Sequence, residues 1–211
     1  FLFPTIEDNI LLLLEFLMPV IILPIALAST LFSVRMTNLW VRLPRPEKLL
    51  EENLKGLGSK AVLYSYYHFP ARHVLICQQG VFAIVTRFQN GTITVNGDKW
   101  TVQRSFVGRL FSIFRMDSVG NPTIDAVAAA GKIQSILETI VPNVKVQPIV
   151  VFIDPNVKLT VLNPTVPVVN TLTRLQPNLK DYLKGLPKKN ELTPDQIRQF
   201  EAATGVIPAK N

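Results

Sequence analysis

Cysteine and histidine are scarce in this chain, and their scarcity argues against several kinds of site. The 211 residues include one cysteine, Cys77, so no intramolecular disulfide can form and nothing indicates an oxidising compartment. Cys77 lies in an apolar run, and we expect it to be a small buried residue. The two histidines, His68 and His73, have no clustered acid beside them, so we expect no metal site and interpret His73 as a packed polar residue.

Glycine-rich segments are also missing. The ten glycines are scattered, so the chain has no phosphate-binding loop of the kind that precedes a helix in nucleotide-binding proteins. No local motif suggests a Ser-His-Asp or Cys-His catalytic arrangement. We therefore expect no cofactor.

Basic residues outnumber acidic ones. Lys and Arg total 22 against 15 Asp and Glu, which gives a formal net charge of +7. A basic excess favours anionic partners such as nucleic acid or lipid headgroups, although a basic surface without any polyanionic partner explains it equally well.

The longest apolar run covers residues 10–34 and contains one charged residue, Glu15. A helix of about 20 residues is long enough to cross the hydrocarbon core of a bilayer. A cleavable signal peptide would need a basic segment before a shorter apolar core, but no Lys or Arg precedes Arg35, and Glu7 and Asp8 lie upstream. The run therefore predicts a retained transmembrane helix.

The flanks of this run predict its orientation. Arg35, Arg42, Arg45 and Lys48 follow it, and basic residues remain on the cytoplasmic side of a membrane. We therefore expect the N-terminus outside the cell membrane and the remaining chain in the cytoplasm, with Trp40 as an interfacial anchor.

Three residues within the run suggest contacts beyond simple anchoring. Pro19 and Pro24 each remove a backbone donor and are expected to bend the helix. Glu15 lies about one turn inside the apolar run, where it either reaches back to the outer interface or contacts another membrane subunit.

The rest of the chain reads as one soluble domain behind a connector. We divide the chain into an outer N-terminus at 1–9, the transmembrane helix at 10–34, a connector at 35–58, a domain at 59–205 and a tail at 206–211. Periodicity and turn signals predict helices at 47–57, from Asn121-Pro122 onward, within 175–186 and from Thr193 onward, and strands at 61–67, 73–77, 81–87, 92–95, 100–103, 144–153, 158–162 and 166–170. This order indicates an α/β domain with a mixed central sheet and flanking helices.

Two turn signals and one helix stripe add detail. Asn90-Gly91 and Asn96-Gly97 both resemble hairpin turns. The helix that begins at Asn121-Pro122 has a broad apolar stripe, which we expect to face the core; its members are Ile124, Val127, Ala128, Ile133, Ile136, Leu137 and Ile140.

Residues 104–115 form a basic, aromatic insert. On a helix, one face would carry Phe106, Val107, Leu110, Phe111 and Phe114, and the other Ser105, Gly108, Arg109, Ser112 and Arg115. Such a segment either covers the domain's own sheet or docks on the bilayer or on another membrane subunit. Interleaved aromatic and basic residues also suit single-stranded nucleic acid, which we consider less favoured because the two faces are so cleanly separated.

Several short strings, in order, resemble the NERD (nuclease-related) domain, a relative of the restriction-endonuclease-like nucleases. They are Arg72-His-Val-Leu-Ile76, Gly80-Val-Phe-Ala-Ile-Val-Thr-Arg87, Asn90-Gly-Thr-Ile93 before Trp100, Asn121-Pro122, and Leu192-Thr-Pro-Asp-Gln-Ile197. The resemblance extends over residues 56–205. It implies a restriction-endonuclease-like fold and, in the family, metal-dependent phosphodiester cleavage.

The positions that the resemblance assigns to that chemistry are altered. Family members carry an Asp and a Glu that hold a divalent cation, followed by a Lys. Here the Asp position is Arg72, the Glu position is Val85 and the Lys position is Arg87, while Asp125 replaces a Gln on the following helix. Moreover, no Asp or Glu in the chain is followed two residues later by Lys or Arg.

These observations favour a domain without catalytic activity. We expect a membrane-anchored accessory or interaction subunit, with lipid and other membrane subunits as partners. The alternative is a membrane-tethered nucleic-acid-binding protein or a residual metal-dependent nuclease.

Overall fold

The computed structural model describes residues 6–40, 45–58, 61–65, 71–103, 120–172, 177–188 and 192–205. Two compact units are distinguished, and each is described by itself. The predicted insert at 104–115, with Phe106, Arg109, Leu110, Phe111, Phe114 and Arg115, lies outside the described residues, as does His68.

The first unit contains a long helix, α1 (Ile6–Trp40), which includes Pro19 and Pro24. Its most apolar window, Leu17–Val34, has a mean hydropathy of 2.2 and is not buried within the structure. At 1.5 Å per residue this window is about 27 Å long, close to the thickness of a bilayer's hydrocarbon core. The helix is therefore long and apolar enough to cross a membrane, a property that a signal sequence near an N-terminus shares.

The helix extends beyond both ends of the predicted segment at 10–34. Glu15 is exposed and precedes the most apolar window, and Pro19 and Pro24 are exposed within it. Arg35 and Trp40 belong to the helix by their backbone, but their side chains lie outside the described residues.

The second unit alternates strands and helices in the predicted order. Its elements are α2 (Pro46–Leu54), β1 (Val62–Ser65), β2 (His73–Cys77), β3 (Gly80–Arg87), β4 (Gly91–Asn96), β5 (Lys99–Gln103), α3 (Pro122–Leu137), β6 (Val146–Phe152), β7 (Val157–Leu162), β8 (Val168–Asn170), α4 (Leu179–Gly185) and α5 (Pro194–Thr204).

These strands form two mixed sheets. The larger has the order β1-β2-β3-β6-β8, in which β1, β2 and β3 are antiparallel neighbours and β3, β6 and β8 are parallel. The smaller has the order β5-β4-β7, with β4 antiparallel to β5 and parallel to β7. The predicted α/β class with a mixed sheet and flanking helices is confirmed.

Only one of the two predicted hairpins forms. Asn96 and Lys99 pair across a turn in which Gly97 has φ +57°, so β4 and β5 make the expected hairpin. The prediction at Asn90-Gly91 was wrong, because β3 and β4 do not pair with each other: they lie beside β6 and β7, respectively, as parallel neighbours. The chain therefore passes from one sheet to the next instead of reversing.

Helices cover both faces of the larger sheet, because its strands are apolar on both sides. Along β3, Val81, Ala83 and Val85 join one core cluster, and Phe82 and Ile84 join the other. The first cluster includes residues of α3 and α5, and the second includes residues of α2 and α4. The larger sheet is thus the middle layer of the unit, and the smaller sheet packs its inner face, with Ile93, Val95 and Val157, into the first cluster beside α3 and α5.

The face that α3 buries differs from the predicted stripe. Ile124 and Val127 are 63% and 52% exposed. The buried side chains are Ala126, Ala129, Ala130, Ile133 and Leu137. Small alanines let the helix axis lie close to the sheet. The prediction that Ile124, Val127 and Ala128 face the core was therefore wrong.

Two helices begin at the capping residues that the sequence predicts. The Asn121 side chain accepts hydrogen bonds from the backbone N–H of Thr123 at 3.1 Å and of Ile124 at 3.3 Å. Thr193 caps α5 and forms a capping box with Gln196. Both predicted helix starts are confirmed.

Candidate functional site

The positions that the resemblance assigns to nuclease chemistry lie at the carboxyl end of β3, on the face that α3 covers. Val85 and Arg87 share this face because side chains alternate along a strand. The Arg87 guanidinium donates a hydrogen bond to the Asp125 carboxylate in the first turn of α3 and forms an ion pair with it. The Arg87 side chain is 18% exposed and the Asp125 side chain 45%.

The hairpin of β4 and β5 positions the start of α3. The indole N–H of Trp100 donates a hydrogen bond to the Thr123 hydroxyl at 2.9 Å, two residues after the capping residue Asn121. The Trp100 ring also packs on Phe152 of β6, with ring centres 6.0 Å apart. These contacts hold the first turn of α3, and with it Asp125, over the ends of β3 and β6.

Burial shapes the electrostatics of Arg87. Desolvation lowers the pKa of its guanidinium, and the charge and hydrogen bond of Asp125 oppose that shift. A guanidinium is so basic that it remains protonated in proteins. Arg87 is therefore a fixed, partly desolvated positive charge, with Asp125 as its counter-charge.

Arg72 brings a second positive charge to the same end of the sheet. The β2–β3 register begins with His73 opposite Ile84, and Arg72 directly precedes β2, so continuing the register by one residue would set Arg72 opposite Val85. Arg72 is half-buried, and it has no ion-pair or hydrogen-bond partner in the described part of the chain. The pKa of the neighbouring His73 is lowered to about 3, mainly by burial and secondly by the positive charge of Arg72.

His73 contacts Ser65, a pairing that sequence reasoning missed. The strand register aligns the two residues, and the Ser65 hydroxyl oxygen lies 3.2 Å from Nδ1 of His73. The imidazole is 1% exposed, and Nε2 has no hydrogen-bond partner in the described structure. The lowered pKa, about 3, makes the imidazole a weak base near neutral pH. The interpretation of His73 as a packed polar residue is confirmed.

Cys77 is buried, as expected, and desolvation raises the pKa of its thiol. The structure places Glu15, Pro19 and Pro24 on α1, in the first unit, and Arg72, Val85, Arg87 and Asp125 in the second.

The residues at the altered positions do not fit a divalent cation. Val85 is apolar, Arg72 is positive, and the Asp125 carboxylate already pairs with Arg87. Hard divalent cations need several oxygen ligands, usually including carboxylates. In the described ranges no group of three or more His, Cys, Asp or Glu side chains gathers to hold a metal.

Comparison with known proteins bears on the same region. The family model of the nuclease-related domain (NERD) matches residues 45–153, from the start of α2 to the end of β6. No curated protein and no solved structure matches the chain. The matched region is more than half of the 211 residues and contains the altered positions together with the helix that carries Asp125. The chain therefore belongs to the NERD family.

Proposed function

We propose that this chain is a non-catalytic, membrane-anchored NERD domain that serves as an accessory or interaction subunit at the cytoplasmic face of the cell membrane. The observation that carries the proposal is the ion pair between Arg87 and Asp125. It joins the positions that the family gives to its Lys and its Gln, while the two positions that would present carboxylates to a metal ion hold Arg72 and Val85.

Electrostatics supports the loss of metal-dependent cleavage. A divalent cation about 5 Å from one unpaired guanidinium is repelled by about 7 kcal/mol at an effective dielectric constant near 20. Neither Val85 nor Arg72 supplies a ligand to offset that repulsion. Hydrolysis of a phosphodiester at this position would therefore lack the metal-activated water that such chemistry uses.

A cleavage assay tests the catalytic part of the proposal. The full chain, purified in mild detergent, is incubated with single- and double-stranded DNA and RNA in Mg²⁺ or Mn²⁺. We expect the same amount of cleavage with the metal and with EDTA. Cleavage that EDTA abolishes, and that Asp125→Asn changes, would contradict the proposal.

The exposed apolar window of α1 supports the anchor. Leu17–Val34 is apolar and unburied, so it needs an apolar environment that the described domain does not supply. The basic residues after it, Arg42, Arg45 and Lys48, support an orientation with the domain in the cytoplasm.

Membrane extraction separates an anchor from a cleaved signal sequence. We expect the expressed protein to remain in membranes washed with alkaline carbonate, and its intact mass to include α1. Release into the soluble fraction with a mass that lacks α1 would contradict the anchor.

The accessory role requires a partner in the membrane. Native mass spectrometry of the full chain, extracted from its own membranes in mild detergent, should show a complex larger than one copy. A monomer in every detergent and lipid condition would contradict this role.

A second function, nucleic-acid binding, is favoured by the outer face of the smaller sheet. The register aligns two lysines with polar neighbours, and no acidic side chain belongs to this face of the described strands. Its residues are Thr92, Thr94, Asn96, Lys99, Thr101, Gln103, Lys158, Thr160 and Leu162. Together with the net charge of +7, this face suits a phosphate backbone.

Salt dependence tests this second function. If the full chain in neutral detergent binds single-stranded DNA or RNA through this face, Lys99→Gln with Lys158→Gln should weaken binding and lower the salt slope by about 1.4 for two lost phosphate contacts. Lys132→Gln with Lys184→Gln, two exposed lysines on helices, is the matched control. The second function is wrong if the chain fails to bind at low salt.

A further inference from the structure

One guanidinium at the altered site has no acidic partner. Arg87 pairs with Asp125, whereas Arg72 is half-buried and has neither an ion pair nor a hydrogen bond with any described residue. A guanidinium without a protein partner can donate its hydrogen bonds to a negatively charged ligand. The lack of a partner points to a ligand that supplies the missing negative charge.

The strand register places the two guanidinium groups within reach of one ligand. Residues directly opposite each other on antiparallel strands have Cβ atoms about 5 Å apart, and diagonal neighbours about 7–8 Å apart. Extending the register by one residue makes Val85 the direct neighbour of Arg72, and makes Arg87 its diagonal neighbour on the same face. Both arginine side chains are long enough to converge above the Val85 methyl groups.

The balance of charge favours an anion there. Arg72 and Arg87 together contribute two positive charges, and Asp125 contributes one negative charge. The carboxylate of Glu201, on the same face of the sheet, accepts a hydrogen bond from the Tyr64 hydroxyl at 2.8 Å and forms no ion pair with Arg72. Because Arg87 is only 18% exposed, solvent screens this site less than it screens surface charges.

We propose that this site binds a phosphate group through Arg72, with Arg87 as the second cation. Guanidinium groups present two parallel N–H donors to phosphate oxygens, and this geometry favours phosphate over spherical anions. In this chain the site would thus bind an anion at the place where other NERD domains bind a cation. The inference rests on the proposed non-catalytic function and adds a ligand to it: either free phosphate or the phosphate of a lipid headgroup.

Titration with inorganic phosphate is the first test. The full chain in mild detergent and EDTA should bind phosphate with a stoichiometry of one by calorimetry. Because a hydrogen-bonded charge is lost, Arg72→Gln should weaken the affinity about tenfold or more. Arg72→Lys should give an intermediate affinity because it keeps the charge without the fork. Lys132→Gln, on the exposed side of α3, should bind like the wild type.

A second variant keeps the test valid if Arg72→Gln is poorly folded. Asp125→Asn releases Arg87 from its carboxylate, so phosphate should bind several-fold more tightly. Thermal unfolding without phosphate shows whether each variant is folded. The proposal is overturned if the wild type does not bind phosphate, or if neither Arg72→Lys nor Asp125→Asn alters its affinity.

Nanodiscs distinguish the two sources of phosphate. If lipid headgroups reach the site, discs containing phosphatidic acid should weaken the apparent affinity for inorganic phosphate relative to discs of phosphatidylcholine, and Arg72→Gln should remove this difference. Equal affinities in the two discs would assign the site to free phosphate.

The divalent cation separates this inference from the proposed function. Phosphate binding that persists in EDTA supports the anion site whatever the cleavage assay shows. Phosphate binding that requires Mg²⁺ or Mn²⁺ would overturn the anion site, because the metal would then hold the ligand. Metal-dependent cleavage alongside metal-independent phosphate binding would contradict only the proposed function.

Discussion

The guanidinium of Arg87, the last residue of β3, forms an ion pair with the carboxylate of Asp125 in the first turn of α3. The pair joins the sheet to the helix that covers it. Among the described residues, Asp125 is the one carboxylate that pairs with Arg87. One contact thus has two consequences: it stabilises the packing of α3, and it removes a ligand from any metal.

Breaking this pair should destabilise the domain. Asp125→Asn leaves a guanidinium that is 18% exposed without its counter-charge. Since Asp125 is partly solvated, we expect the free energy of unfolding to fall by about 1–2 kcal/mol, between the values for surface and buried pairs. Chemical denaturation of the full chain in detergent, followed by near-UV circular dichroism, measures the change.

The chain contains a matched control for that variant. Asp195 pairs with Arg198 within α5, and their side chains are 75% and 73% exposed. Asp195→Asn should change stability by less than about 0.5 kcal/mol, because solvent screens such pairs. Equal effects of the two variants would show that Arg87–Asp125 is only another surface pair.

Acid should destabilise the fold through His73. Its pKa is about 3 in the folded protein and 6.5 in the unfolded chain, so between these values the unfolded chain binds more protons. Stability should therefore fall as the pH falls from 6.5 towards 3, by at most about 1.4 kcal/mol per pH unit from this residue. Denaturation curves between pH 5 and pH 7 measure the slope where carboxylates contribute little.

His73→Gln isolates this contribution. Glutamine does not titrate, so the slope of stability against pH in this window should be lower in the variant than in the wild type. If both proteins show the same slope, His73 is protonated in the folded state and is not held neutral by burial and Arg72.

Two neighbouring alanines test which face of α3 is buried. Ala129 is 0% exposed against the sheet, whereas Ala128 is exposed. Ala129→Leu should destabilise by about 1–3 kcal/mol through overpacking, and Ala128→Leu by less than about 0.5 kcal/mol. A larger effect of Ala128→Leu than of Ala129→Leu would instead support the buried face that the sequence predicts.

The last helix should stabilise the domain although it lies outside the region that the family model matches. Phe200 of α5 is 0% exposed and packs edge-to-face on Tyr64, with ring centres 6.0 Å apart. Phe200→Ala should destabilise the domain by about 3–5 kcal/mol. Tyr64→Phe, which removes the hydroxyl that donates to Glu201, should have an effect of about 1 kcal/mol. A small effect of Phe200→Ala would mean that α5 does not belong to the core.

Much of the fold could be predicted because its signals are local. Asn121 and Thr193 begin helices through contacts with residues two or three positions along the chain, and Gly97 permits the turn of one hairpin. Asn90-Gly91 gave a similar local signal, yet the parallel neighbours β6 and β7 carry β3 and β4 into separate sheets. Pairing with strands distant in sequence therefore determines the path of the chain at Asn90-Gly91.

The candidate site was predicted only in part. The resemblance assigned Arg72, Val85, Arg87 and Asp125 to it, but did not show which of these side chains contact one another. Arg87 and Asp125 are 38 positions apart, so only the tertiary fold shows that they meet. The exposure of Ile124 could not be predicted either, because periodicity alone does not show whether a helix buries its face of small residues or its face of large ones.

The central claim is that this NERD site does not hold a divalent cation, and Mn²⁺ binding tests it most directly. Electron paramagnetic resonance of free Mn²⁺ is recorded while the full chain in detergent is added, with Asp125→Asn measured in parallel. We predict that the free Mn²⁺ signal does not decrease beyond that of a detergent blank. One tightly bound Mn²⁺ per chain, lost in Asp125→Asn, would contradict the account.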